Sequence, residues 1–117
     1  MGDYERLDVT TKNGVTVARL CDTKLIGDEK IEALEKELVR LVEVDHCKRL
    51  LLDFSTVTFL GRAAIGKLLA FARKAQEQGC VIKVCGLSSN IEQVFNLTGL
   101  LTVFDVAKSK NVAMFSF

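Results

Sequence analysis

The chain has 117 residues, of which 49% are hydrophobic, and this favours a single domain with an ordinary buried core. Its 16 Lys and Arg residues nearly balance its 15 Asp and Glu residues, which argues against direct nucleic-acid binding. Apolar runs such as residues 50–52 are far shorter than the ~20 residues that span a bilayer, and the polar N-terminus is unlike a secretory signal. We therefore expect one cytoplasmic domain over residues 1–117, without a membrane segment.

The first half of the chain predicts a hairpin, a helix and a buried strand. Weak alternation at residues 7–9 and clear alternation at residues 15–20 flank the turn residues Asn13 and Gly14. Residues 28–44 then repeat apolar side chains with helical spacing. Residues 50–54 are apolar except for Asp53, and such a nearly continuous apolar run is typical of a parallel strand covered on both faces. The apolar helix face comprises Ile31, Leu34, Leu38, Leu41 and Val42.

The second half predicts a helix over residues 62–78, a strand over residues 80–85, a short helix that stops at Gly99 and a strand over residues 103–106. The inward face of the first of these helices is predicted to include Ile65, Leu68, Leu69 and Ala72.

Two serines are predicted to start helices in this half. Ser89 and Glu92 have the spacing of a capping box, which predicts Ser89 as the cap of the short helix. Ser109 is predicted to cap a closing helix that buries Val112 and Phe115.

The predicted order is β-β-α-β-α-β-α-β-α. Strands that alternate with helices imply right-handed crossovers and a parallel sheet, whereas the first strand is antiparallel in its hairpin. The sequence therefore predicts an α/β fold with a mostly parallel sheet of about five strands.

The segment from Gly61 to Lys67 has the G-x-x-x-x-G-K spacing of a phosphate-binding loop. However, Leu68 occupies the position where such loops place a Ser or Thr that binds magnesium. The residues Ala63 and Ala64 between the glycines also favour helix. We therefore expect Gly66 and Lys67 to lie inside a helix rather than in a phosphate loop.

No cluster of residues indicates catalysis or metal binding. The four cysteines, Cys21, Cys47, Cys80 and Cys85, lack C-x-x-C spacing, so they are expected to be reduced and to act as small hydrophobic residues in the core. His46 is expected to be exposed on a connection between elements. We therefore expect no cofactor, no metal and no enzymatic activity.

The stretch DFSTVTFLGRAAIGKLL resembles the signature of STAS domains, the fold of bacterial anti-sigma-factor antagonists. That signature reads approximately D-[LF]-S-x-V-x-[FY]-[IL]-D-S-S-G-[LI]-G-x-L-L. A second stretch, GCVIKVCGLSSNIEQVFNLTGLLTVFDV, is similar to the second half of the family pattern. The matching residues of the first stretch are Asp53, Phe54, Ser55, Val57, Phe59, Leu60, Ile65, Gly66, Leu68 and Leu69.

The resemblance implies a partner-binding site in a turn whose serine the partner kinase phosphorylates in the antagonists. Aligned from Phe59, the family's D-S-S-G turn falls on Gly61, Arg62, Ala63 and Ala64. The phosphorylated serine corresponds to Ala63, which has no hydroxyl group, so this position lacks the usual phosphoacceptor.

The same turn is expected to be a helix N-terminus, which together with Arg62 suits an acidic or phosphorylated group on a partner. Thr23 and Lys24 are expected to lie at the same end of the sheet. The alternative is that these are ordinary exposed surface residues.

The leading hypothesis is a regulatory module for transcription signalling that binds an anti-sigma factor or serine kinase. The alternatives are a STAS domain that binds a nucleotide or small ligand, and a structural subunit of a signalling assembly.

Overall fold

The computed structural model describes residues 4–117 and contains one main sheet, one small sheet and the helices that pack against them. The elements in chain order are β1 (Leu7–Lys12), β2 (Val15–Leu20), β3 (Lys24–Leu25), α1 (Asp28–Glu43), β4 (Arg49–Asp53), β5 (Phe59–Leu60), α2 (Arg62–Glu77), β6 (Val81–Cys85), α3 (Ser89–Thr98), α4 (Leu100–Val103), β7 (Asp105–Val106) and α5 (Lys110–Ser116).

The main sheet has five strands in the order β1-β2-β4-β6-β7. The strand β1 is antiparallel to β2, while the pairs β2–β4, β4–β6 and β6–β7 are parallel. The predicted mostly parallel sheet with an N-terminal hairpin is therefore confirmed. Within the described residues, no helix is long and apolar enough to cross a bilayer.

The central strand β4 is buried on both faces, as its continuous apolar sequence predicts. Leu50 and Leu52 pack into the main core with side chains of α1, α2 and α3, whereas Leu51 faces Ala113 of α5. All three leucines have an exposed fraction of 0%. The sheet therefore lies between a large helical layer formed by α1, α2, α3 and α4 and a thinner layer formed by α5.

The helices α1 and α2 match the predicted segments to within one residue at their C-terminal ends. The predicted inward face of α2 is confirmed, since Leu68 and Ala72 are buried and the half-buried Ile65 and Leu69 pack against the same core. Ala64, Phe71 and Ala75 complete its buried face.

Other details of the prediction are wrong at the C-terminal end. The cap of α3 is Ser88, whose Oγ accepts a hydrogen bond from the Ile91 N–H at 3.3 Å, and Ser89 is the first helical residue. Ser109 does cap α5, but Val112 and Phe115 are exposed by 51% and 92%. The predicted strand over residues 103–106 is shortened because α4 occupies its first residue.

Candidate partner-binding site

The turn after β4 leads the chain to the N-terminus of α2. Asp53 ends β4, and its Oδ1 atom accepts the Ser55 N–H at 2.9 Å. The Phe54 N–H donates to the Cys85 carbonyl oxygen at 2.9 Å, which attaches the turn to β6. Gly86 has a φ of 77° and packs so closely that a Cβ atom would lie 2.8 Å from Asp53 Oδ1. These contacts fix the start of the turn against the sheet.

A two-stranded parallel sheet, which the sequence did not reveal, holds the rest of the turn. It pairs Lys24 with Phe59 and Leu25 with Leu60. Beside it, the backbone N–H and the hydroxyl of Thr58 both donate to the Thr23 carbonyl oxygen, at 2.7 and 3.1 Å. Thr23 and Lys24 therefore lie next to the segment that enters α2, as predicted.

Gly61 precedes α2 and supplies no side chain to cap it. Its N–H donates to the Leu25 carbonyl oxygen at 2.9 Å, and a Cβ atom at this position would lie 2.9 Å from Ile26 Cγ2. The first turn of α2 contains no acidic residue. The positive end of the helix dipole is therefore not neutralised by the helix itself.

The predicted turn residues differ in exposure. Arg62 and Ala63 are exposed, whereas Ala64 is exposed by only 1% and packs into the main core. The surface of this turn is thus provided by Arg62 and Ala63, while Ala64 anchors the helix. Neither Arg62 nor Lys24 forms an ion pair with any residue in the range 4–117.

Two exposed apolar side chains adjoin these cations and were not predicted as site residues. Ile26 is exposed by 46% and Phe59 by 49%, although both adjoin the small sheet whose other face is buried. The sequence Lys24-Leu25-Ile26 was the one pattern that could have indicated exposed residues here, but a strand of two residues is too short to be predicted from periodicity. We call the exposed residues of this region the Arg62 surface: Thr23, Lys24, Ile26, Phe59, Arg62 and Ala63.

The G-x-x-x-x-G-K segment does not form a phosphate loop. Gly66 and Lys67 lie inside α2, as predicted, and Lys67 Nζ pairs with Glu35 Oε1 at 3.2 Å. The cavity beside Ala64 and Lys67 has a volume of about 10 Å³, far below the several hundred Å³ of typical ligand pockets.

The cysteines and the histidine do not assemble into a metal centre. Cys47, Cys80 and Cys85 are free and buried as predicted, but Cys21 is exposed, contrary to the prediction. Burial and, secondarily, the negative charge of Asp53 raise the pKa of Cys85 to about 11. His46 is exposed as predicted. In the part of the chain that the structure describes, no group of three or more His, Cys, Asp or Glu residues is arranged to hold a metal ion.

The fold and the strand-turn-helix site are those of a STAS domain. The STAS domain family model matches residues 6–113, and the chain belongs to this family.

Individual relatives cover nearly the whole chain. BtrV of Bordetella bronchiseptica, which is named as an anti-sigma factor antagonist, is 25% identical over 112 residues, covering 96% of this chain and 94% of BtrV. The structure of an anti-sigma factor antagonist from Mycobacterium paratuberculosis has a TM-score of 0.80 and 24% identity, with 94% of this chain and 91% of that chain covered. A STAS domain protein from Planctomyces limnophilus has a TM-score of 0.80 and 19% identity, with coverages of 94% and 95%. The fold is therefore that of the anti-sigma-factor antagonists.

Proposed function

We propose that this STAS domain is a non-enzymatic regulator that binds an anti-sigma factor or a related serine kinase through the Arg62 surface, in the cytoplasm. The observation that carries the proposal is the exposure of Ile26 and Phe59 beside Arg62 and Lys24, two cations that form no ion pair with any other residue from 4 to 117. Exposed apolar side chains next to unpaired charges suit a partner with an apolar centre and acidic groups around it.

Ala63 gives this proposal its distinctive feature. It is exposed and stands where the resemblance to the antagonists places the phosphorylated serine. A phosphate there would add about −1.5 to −2 charges to the docking surface. Because alanine has no hydroxyl, binding through this surface is not switched off by phosphorylation at this position. The domain would then act as a constitutive competitor for its partner.

Binding to a purified anti-sigma kinase from the same organism tests the docking surface. Isothermal titration should detect binding of the wild type and a loss of at least about tenfold in affinity for Arg62→Glu, equivalent to ~1.4 kcal/mol. Arg73→Glu is the matched control, because Arg73 is also an exposed arginine of α2 but lies outside the Arg62 surface. Equal affinity of wild type and Arg62→Glu would show that the partner binds elsewhere.

A variant that introduces a phosphorylatable serine at position 63 tests the role of Ala63. Incubation with the kinase and ATP should leave the wild type unphosphorylated, whereas Ala63→Ser should incorporate phosphate and then lose affinity for the kinase. Phosphorylation of the wild type with loss of binding would show that another hydroxyl controls the interaction. Isothermal titration of the domain with ATP and with GTP, in the absence of the kinase, tests the alternative that the domain binds a nucleotide.

A further inference from the structure

The N-terminal ends of β4 and β6 bring two cysteine thiols together. The first residues of these parallel strands, Arg49 and Val81, are direct partners in the sheet. The Cys47 thiol donates to the Arg49 carbonyl oxygen at 3.4 Å, and the Cys80 sulfur lies 3.9 Å from the Val81 carbonyl oxygen. The Val81 N–H donates to the Lys48 carbonyl oxygen at 2.8 Å, so Cys47 and Cys80 each immediately precede one of these two bonded residues. Both cysteine side chains are buried in the same core cluster, which brings the two thiols to one end of the sheet.

The surroundings of this pair make Cys47 the more reactive thiol. The hydrogen bond from Cys80 is the main cause that lowers the pKa of Cys47, and a hydrogen bond from Thr16 acts in the same direction against the effect of burial. The interaction with Cys47 and, secondarily, burial raise the pKa of Cys80. The thiolate, which is the reactive form of cysteine, therefore forms first at Cys47.

A small oxidant can reach the pair although both side chains are buried. The exposed fractions of Cys47 and Cys80 are 6% and 4%. Cys80 also lines an open cavity of about 720 Å³ between β6, α4 and β7, together with Gln76 and Phe104. This cavity provides a route for solvent and for small peroxides to the edge of the thiol pair.

We propose that Cys47 and Cys80 form a peroxide-sensitive dithiol that closes to an intramolecular disulfide. The Cys47 thiolate attacks one oxygen of hydrogen peroxide, the O–O bond breaks, and hydroxide leaves to give a sulfenic acid. The Cys80 sulfur then attacks the Cys47 sulfur, the S–O bond breaks, and the departing hydroxide takes the Cys80 proton. In sum, two thiols are oxidised to a disulfide and one peroxide is reduced to two water molecules.

The disulfide would connect the loop after α1 to the segment that joins α2 to β6. Such a link restricts the unfolded chain and should raise the melting temperature by several degrees. The thiol pair lies at the opposite end of β4 from the Arg62 surface, so this inference does not depend on the proposed partner. It adds an oxidation-sensitive site that is separate from partner binding.

Peptide mapping of the oxidised full chain tests the pair directly. Trypsin is expected to release Cys47 within residues 41–48 and Cys80 within residues 75–83. After treatment with hydrogen peroxide the intact protein should have lost two hydrogen atoms in mass, and alkylation of the unfolded protein should then add two alkyl groups rather than four. A non-reducing digest should contain these two peptides joined, and dithiothreitol should separate them and reverse the rise in melting temperature.

Single variants assign the two roles. Cys80→Ser should leave a Cys47 sulfenic acid that dimedone traps, Cys47→Ser should give no cross-link, and Cys21→Ser should behave as the wild type because Cys21 lies outside the pair. The proposal is overturned if Cys21 is oxidised while Cys47 and Cys80 stay reduced, if Cys47 proceeds to sulfinic acid without a cross-link, or if the cross-link joins other cysteines. The wild-type map alone separates these outcomes, so the test does not depend on the folding of the variants.

Discussion

Gly61 and Gly66 are expected to respond to alanine substitution in opposite directions. Gly61 has a φ of −76°, which alanine adopts freely, so any cost must come from contacts rather than from the backbone. A Cβ atom there would lie 2.9 Å from Ile26 Cγ2 and 3.1 Å from the Leu25 carbonyl oxygen. A Cβ atom on Gly66, inside α2, has no such neighbour within 4 Å.

The two magnitudes follow from these contacts. The Ile26 side chain is half exposed and can rotate away, but the Leu25 oxygen belongs to the backbone and accepts the Gly61 N–H at 2.9 Å. Overpacking of this kind costs about 1–3 kcal/mol, and the stiffer unfolded chain of the alanine variant offsets about 0.4–1 kcal/mol. We therefore expect Gly61→Ala to lose about 1–2 kcal/mol of unfolding free energy. Gly66→Ala should gain about 0.5–1 kcal/mol because alanine is favoured in a helix interior.

Urea denaturation monitored by far-UV circular dichroism is the suitable assay, because the chain contains no tryptophan for fluorescence. The two variants should differ from each other by about 1.5–3 kcal/mol at equal m-values. If Gly61→Ala were as stable as the wild type, the close approach of β3 to the start of α2 would be incorrect. If Gly66→Ala also destabilised the protein, the assignment of this segment to a helix would be in doubt.

Three further sets of variants probe the core, a helix cap and a buried thiol. Phe95→Ala removes a ring with an exposed fraction of 0% that packs against two other phenylalanines, so urea denaturation should show a loss of about 3–5 kcal/mol, whereas Phe115→Ala should change stability by less than about 0.5 kcal/mol. Ser88→Ala should lower the unfolding free energy by about 1 kcal/mol, and Ser89→Ala should lower it clearly less. A larger loss for Ser89→Ala would instead support Ser89 as the cap, as the sequence predicted. The raised pKa of Cys85, about 11, means that the unfolded thiol ionises first, so stability should fall as the pH rises from 9 towards 11. Denaturation across this range should show a smaller fall for Cys85→Ala, and an equal fall would exclude Cys85 as a cause.

The sequence predicted those parts of the fold that depend on long periodic patterns. Sixteen-residue helices such as α1 and α2 repeat their apolar positions often enough to define a buried face. The continuous apolar sequence of β4 likewise predicted burial on both sides. The order of the longer strands and helices and the mostly parallel sheet then followed from the alternation of strands and helices, whereas β3, β5 and α4 were not predicted.

Short elements were predicted less well because they carry too few residues for a pattern. The strands β3 and β5 have two residues each, and their pairing is determined by contacts across the chain. In the seven-residue α5, Ala113 faces the sheet and Phe115 does not. Hydrophobicity alone would have predicted the opposite, with Phe115 buried and Ala113 exposed. At the candidate site, the sequence identified the turn but missed Ile26 and Phe59, whose exposure depends on which face of the small sheet meets the core.

The small sheet β3–β5 has a consequence for how such domains diversify. Its inner side chains, Leu25 and Leu60, are buried in the main core, whereas its outer side chains, Lys24 and Phe59, are exposed and do not belong to the core. If partners bind the Arg62 surface as proposed, substitutions of these outer side chains change partner recognition at little cost in folding free energy. Under that proposal, related domains keep the packed residues of the two short strands and differ in partner through the exposed ones.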